Sequence, residues 1–168
     1  SMSIRPCLPF PNPILKRVST PVQSVDDQVR AIWADMVDTM EAMPGLGLAA
    51  PQIGYNLRLA VVDCSIERGQ AILMANPEIL HASAQMRDHE EASPNLPGVG
   101  AVIARSRAVM VRYLNGQGLI EERDFVQVWA TSVQHQIDHL NGKLYFDHLS
   151  PLRRKMLLAR AQKLESRA

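Results

Sequence analysis

His135 and His139 stand four residues apart in the segment QHQIDHLNG, a spacing that brings both imidazoles to one face of a helix. Paired helical histidines of this kind supply two ligands to a zinc-type hydrolytic centre, which needs a third protein ligand and an open water position. The residue after the first histidine is then expected to be a glutamate that takes a proton from bound water and returns one to the leaving group. Here it is Gln136, whose amide can orient a water or a ligand but cannot carry the proton. Two histidines near a helix end are equally common with no metal at all, so the surrounding residues decide.

The elements that must position this pair can be read from periodicity. From about Asp124, the residues Val126, Trp129, Val133, Ile137 and Leu140 recur every three or four positions, and Asn141-Gly142 ends the run, predicting a helix that carries both histidines. An earlier amphipathic helix is predicted after Ser24 and Asp27, which resemble a capping box, with Val29, Ile32, Trp33, Met36, Val37 and Met40 on one face and Pro44-Gly45 as its stop. Five prolines between Arg5 and Val22 predict an extended N-terminal arm. GLGLAAPQIG is read as a loop or strand edge with close backbone approach, and RLAVVDCS, AILMANPEIL, AVIARSRAVMVRYL and GLIEERDF as short antiparallel strands. Ser150 and Pro151 open a last amphipathic helix. Helix, strands and helices in this order predict an α+β fold with the histidine helix packed on a sheet.

Length and charge bound what such a site could serve. With 168 residues, 46% of them apolar, the chain is expected to form one domain spanning 1–168. Eighteen basic and seventeen acidic residues give a net charge of +1, which carries no nucleic-acid or membrane signal. Apolar runs are of strand length, and no charged head precedes an apolar core, so a cytoplasmic location is expected. Ser1 ahead of Met2 reads as a tag remnant. Cys7 and Cys64 are too few and too isolated for a disulfide framework and are expected to be buried or idle thiols.

Three motifs carry a family resemblance. QHQIDHLNG resembles the Gln-His-Glu-x-Asp-His-Leu-x-Gly helix of the peptide deformylase family, and Gly45 to Gln52 match its Gly-x-Gly-Leu-Ala-Ala-Pro-Gln motif letter for letter. MANPEI and DHLSPLRRKML are similar to further family segments, so the likeness covers nearly the whole chain. It implies mixed antiparallel sheets around a central metal-motif helix, flanked by an N-terminal and a C-terminal helix. It also implies a pocket built by Gly45, Gly47, Leu48, Glu91 and Arg105, the last two forming an ion pair that braces the loop. The third family motif, Glu-Gly-Cys-Leu-Ser, is EASPN here. Ser93 therefore stands at the metal-binding cysteine, and an alcohol lacks the thiolate's charge at neutral pH. Pro94 stands where a leucine N–H is held to support the oxyanion, and proline has none to donate, leaving the Gln52 side chain alone in that role.

Three changes strike the metal, the proton shuttle and the oxyanion hole. Together they imply a metallohydrolase scaffold acting on linear amides whose N-formyl-methionyl peptide deformylase activity is lost or severely reduced. The divalent metal (Fe2+, Zn2+ or Ni2+) would be weakly held or absent, and a pocket for formylated or N-terminal peptides, or a small molecule, would remain. The alternatives are a hydrolase of another formyl or amide substrate, its centre completed by water, Ser93 or His89, and a weak but genuine deformylase. His89 in RDHEE is otherwise a residue of a solvated edge, and His81 and His148 read as ordinary surface or cap histidines. The basic face of the last helix, including Arg153, Arg154, Arg160 and Lys163, reads as a solvated face; the resemblance offers the ribosome as its partner.

Overall fold

The computed structural model describes residues 3–167, so Ser1 and Met2 lie outside the described residues. Helix α1 (Asp27–Ala42) is followed by strands β1 (Gly47–Ala49), β2 (Leu59–Val62), β3 (Ile72–Ala82), β4 (Met86–Glu91), β5 (Ala101–Ser106), β6 (Ala108–Leu114) and β7 (Ile120–Val126). Helices α2 (Val128–Leu140) and α3 (Pro151–Ser166) complete the chain, with short 3-10 turns at Pro13–Lys16, Ala50–Ile53 and Tyr145–His148. Five antiparallel strands pair in the order β1-β2-β3-β6-β7, and β4 pairs with β5 as a separate hairpin.

The large sheet is covered on both faces. Trp33, Met36 and Met40 of α1 pack with Leu48, Leu59 and Val61, while Val133 and Ile137 of α2 pack with Val62, Met74, Val111 and Phe125. Neighbours Val61 and Val62 thus belong to different cores, as strand alternation requires, and all four residues of β2 are buried. A third cluster joins the hairpin to the C-terminal part through Ile103, Leu144, Phe146 and Leu157.

Three local readings of the sequence are corrected. The cap of α1 is Asp26, whose carboxylate accepts from the Val29 N–H at 2.8 Å, and Ser24 lies upstream of it. Asp124 to Val126 are strand, not helix: Phe125 pairs with Val109, and the chain turns into α2 only at Gln127, held at φ 58°. The apolar stripe expected along α3 is mostly in solvent, because Leu152, Met156 and Leu164 are exposed and only Leu157 and Ala161 are buried. Ser150 does cap that helix, accepting from the Arg153 N–H.

Two glycines fix α2 beside the sheet. Gly142 ends the helix at φ +74°, and a Cβ there would lie 2.5 Å from the Lys16 carbonyl oxygen. Gly47 lets β1 approach the middle of α2, since a Cβ would meet the Gln136 Nε2 and the Ser132 Oγ at 2.7 Å each. No helix of the described residues is long and apolar enough to cross a membrane.

Candidate active site

One face of α2 carries Thr131, Ser132, His135, Gln136 and His139 into the protein, all buried. The imidazoles converge as the four-residue spacing predicts, with the two Nε2 atoms 3.2 Å apart. His135 is held from behind: its Nδ1 meets Glu91 Oε1 at 2.7 Å, and Tyr145 stacks on its ring. The carboxylate accepts, so Nδ1 carries the hydrogen and Nε2 of a neutral His135 presents a lone pair. Burial, then the neighbouring His135, push His139 well below the ordinary imidazole range. The contact between the two Nε2 atoms takes its direction from the tautomers, and the buried His139 Nδ1 has no partner among the described residues.

Glu91 is the end of β4, where it faces Ala101, and Arg105 lies further along β5, facing Arg87. Arg105 grips Glu91 through two hydrogen bonds, of 2.6 and 2.9 Å, and reaches Asp138 of α2 at 2.8 Å. Burial pushes the Glu91 carboxyl up, but hydrogen bonds from His135 and Arg105 and the guanidinium charge outweigh it, so Glu91 is held below its usual range. Both side chains are buried, so the solvent screening that weakens exposed ion pairs is small here. His148, read as an ordinary histidine, closes the far end of this chain with its Nε2 2.7 Å from Asp138. His81 is exposed.

The loop after β4 brings Ser93 and Pro94 to the same place, and Ser93 is buried. Its hydroxyl is turned to the Asn95 side-chain oxygen at 3.1 Å, and that oxygen also accepts from Gln52 Nε2 at 2.8 Å. Gln52 is fixed at its other end by the Ala49 N–H, which donates to its Oε1. Asn95, which the sequence reading passed over, is the hub: its amide donates to the Leu8 and Gln52 carbonyls, and its own carbonyl accepts from the Phe10 N–H. Its one sequence signal was its place two residues beyond Ser93, where an Asx side chain folds back on a serine.

A cavity of about 380 Å³ opens onto these groups, within the range for small-molecule sites. Gly45, Gly47, Gln52, Glu91, Ser93, Pro94, His135 and Gln136 are among the residues that line it. Leu48 and Arg105 are corrected: Leu48 is fully buried in the α1 core, and Arg105 stands behind Glu91 without lining the cavity. His139 is likewise screened, reaching the site through His135.

Does this donor set fit a catalytic metal? The two Nε2 atoms and the carboxylate behind His135 do, since metal-bound histidines are oriented by such acceptors. The third position does not: Ser93 offers a neutral hydroxyl already spent on Asn95, and no three His, Cys, Asp or Glu side chains gather as a metal site among the described residues. His89 is therefore not brought to the pair as a replacement ligand. Two neutral nitrogens and an alcohol do not fit a stably held divalent centre of the three-ligand kind.

An α+β scaffold that drives one helix between sheet and hairpin, and from it presents His135 to a cleft with His139 behind it, defines a hydrolase-type architecture. Residues 4–155 match the family model described as polypeptide deformylase, and the chain belongs to that family. It is 43% identical to a peptide deformylase of Phenylobacterium zucineum (strain HLK1), over 96% of this chain and 97% of the relative, and 38% identical to one of Brucella suis biovar 1 (98% and 95%). Its fold is similar to the crystal structure of a peptide deformylase from Legionella pneumophila, at 37% identity and a TM-score of 0.91, covering 97% of this chain and 96% of that one. It is equally similar to the peptide deformylase of Ehrlichia chaffeensis in complex with actinonin, at 30% identity and a TM-score of 0.91 (98% and 99%).

Proposed function

We propose that this chain binds the N-terminus of formylated or free peptides in the deformylase pocket and that its deformylation of N-formyl-methionyl peptides is lost or severely reduced. The observation that carries this reading is Gln136. It is buried beside the histidine pair at the position where a hydrolase of this family needs a carboxylate. Among the described residues, the one carboxylate that touches the pair, Glu91, is locked in its ionised form by Arg105 and His135 and is not free to shuttle protons. Loss of general acid-base catalysis removes about 100-fold to 10,000-fold in rate. Pro94 adds to this by lacking an N–H, and Ser93 by supplying a neutral oxygen in place of a thiolate, so the metal (Fe2+, Zn2+ or Ni2+) is held weakly or not at all. These losses act on one reaction and do not sum.

A second reading has its own support. The relatives are named peptide deformylase without qualification, which favours a working, if weak, deformylase. Metal analysis of the purified protein, run on the same sample as an N-formyl-methionyl peptide assay and a peptide-binding titration, separates the two. Saturable peptide binding with negligible deformylation supports the first reading. Stoichiometric metal with sustained formate release supports the second. The basic side chains of α3 leave the ribosome as a partner compatible with either.

A further inference from the structure

Residues 44–47 run from the end of α1 into β1 and form one wall of the cavity, with two glycines among the four and little side chain to hold them. The wall is pinned from outside. The Leu46 carbonyl accepts from the Asp63 N–H at 2.9 Å and the Ser132 hydroxyl at 3.0 Å, and the Gly45 carbonyl accepts from Arg68 Nη2 at 2.7 Å. The same guanidinium donates to the Asp63 carbonyl at 2.8 Å and to both carboxylate oxygens of Glu41, at 3.2 and 3.1 Å. One planar fork thus ties the last turn of α1, the cavity wall and the loop after β2, which a point charge on a flexible stem does not do.

Arg68 reaches these partners from a strained backbone, its φ of +62° lying in the left-handed region that a side chain disfavours. The loop enforces it. The Arg68 N–H donates to Ser65 Oγ at 3.0 Å, and the fully buried Asp63 carboxylate accepts from the Ser65 hydroxyl and the Gln70 N–H. A glycine would turn the chain here without that cost, as Gly69 does next at φ +71°. The ion pair with Glu41, whose side chains are 29% and 35% exposed, is too weak a reason for an arginine.

We propose that Arg68 is a positioning residue for peptide binding, holding the Gly45–Leu46 backbone in the form that the peptide meets. The proposal rests on the peptide-binding reading above. Strained residues persist where the surrounding structure over-determines them, and ligand clamps are one such place. A wall ordered in advance leaves the peptide no loop to order on binding.

The test is a calorimetric titration of the full chain with N-formyl-methionyl-alanyl-serine, run on the unmodified protein, Arg68→Gly, Arg68→Ala and Arg68→Lys beside urea unfolding of each. All three variants are expected to bind about tenfold more weakly. Arg68→Gly, relieved of the strain, is expected to unfold at a higher urea concentration than Arg68→Ala although the two bind alike. Affinity that follows stability across the variants, or undiminished binding by a folded Arg68→Gly or Arg68→Lys, overturns the proposal while the peptide-binding reading stands. Absence of binding by the unmodified chain overturns both.

Discussion

Glu91 Oε1 lies 2.7 Å from His135 Nδ1 while Arg105 holds both carboxylate oxygens, so one buried carboxylate couples the β4–β5 hairpin to the histidine helix. Asp138 binds the same guanidinium from the helix side. Breaking a buried pair by removing one partner costs about 3 to 5 kcal/mol, because the other charge is left uncompensated. Glu91→Gln is expected to lower unfolding stability by that amount in urea. A loss under about 1 kcal/mol, the range of exposed pairs, would contradict a structural role for the pair.

The same carboxylates set the acid limit of the fold. Burial pushes both up, and hydrogen bonds and opposite charges, from His135 and Arg105 at Glu91 and from His148 and Arg105 at Asp138, bring both below their ordinary values of 4.5 and 3.8. A depressed carboxylate contributes its stability in full above its unfolded value and loses it as pH falls through the folded one. Urea stability is therefore expected to be flat in this respect above about pH 4.5 and to fall steadily below it, with a shallower fall in Glu91→Gln. Equal slopes in the two proteins would remove Glu91 from the account.

Gly47 tests the contact between β1 and α2. A methyl at this position meets Gln136 Nε2 and Ser132 Oγ at 2.7 Å, and Ser132 is tied to the Leu46 carbonyl. Gly47→Ala is expected to cost about 1 to 3 kcal/mol, the usual range for overpacking, measured by thermal or urea unfolding. An unchanged stability would mean that the Gln136 side chain moves aside freely.

Asn95 holds the N-terminal arm to the site. Its amide and carbonyl bind Leu8 and Phe10, and its side-chain oxygen collects Ser93 and Gln52. Asn95→Ala leaves several buried groups unpaired, at about 1 to 3 kcal/mol for each group stranded. Limited proteolysis is expected to cut residues 5–20 faster in the variant than in the unmodified protein, and equal rates would separate the arm from the site.

Cys64 supplies a pH test of a different kind. Burial, with a smaller push from Asp63, raises its thiol to about 11 despite a lowering contribution from Ser132. The thiolate is the reactive form, so labelling of native Cys64 is expected to be slow at pH 8 and to climb about tenfold per pH unit until that value is approached. A rate that levels off near pH 9 would contradict the burial.

Much of this was legible because it rests on local patterns. The four-residue spacing of His135 and His139, the Gly45–Gln52 motif and the strand alternation each carry their geometry in the chain itself. What was missed depends on contacts between distant segments. The strand-to-helix change at Gln127 uses a positive φ that no glycine marks, and helical spacing continued through Val126 by coincidence. Asn95 and Asp138 gain their importance from Leu8, Gln52 and Arg105, far away in sequence. Leu48 sits in a glycine-rich string of which Gly45, Gly47 and Gln52 line the cavity, but it alternates into the α1 core, because neighbouring strand positions face opposite sides.

The most direct test is the kcat/KM for an N-formyl-methionyl tripeptide, measured on the unmodified chain supplied with Fe2+ or Ni2+ and on Ser93→Cys/Gln136→Glu treated identically. The account predicts little or no formate release from the unmodified chain and a gain of at least about 100-fold in the double variant. Efficient turnover by the unmodified chain, unimproved by the two substitutions, would contradict it.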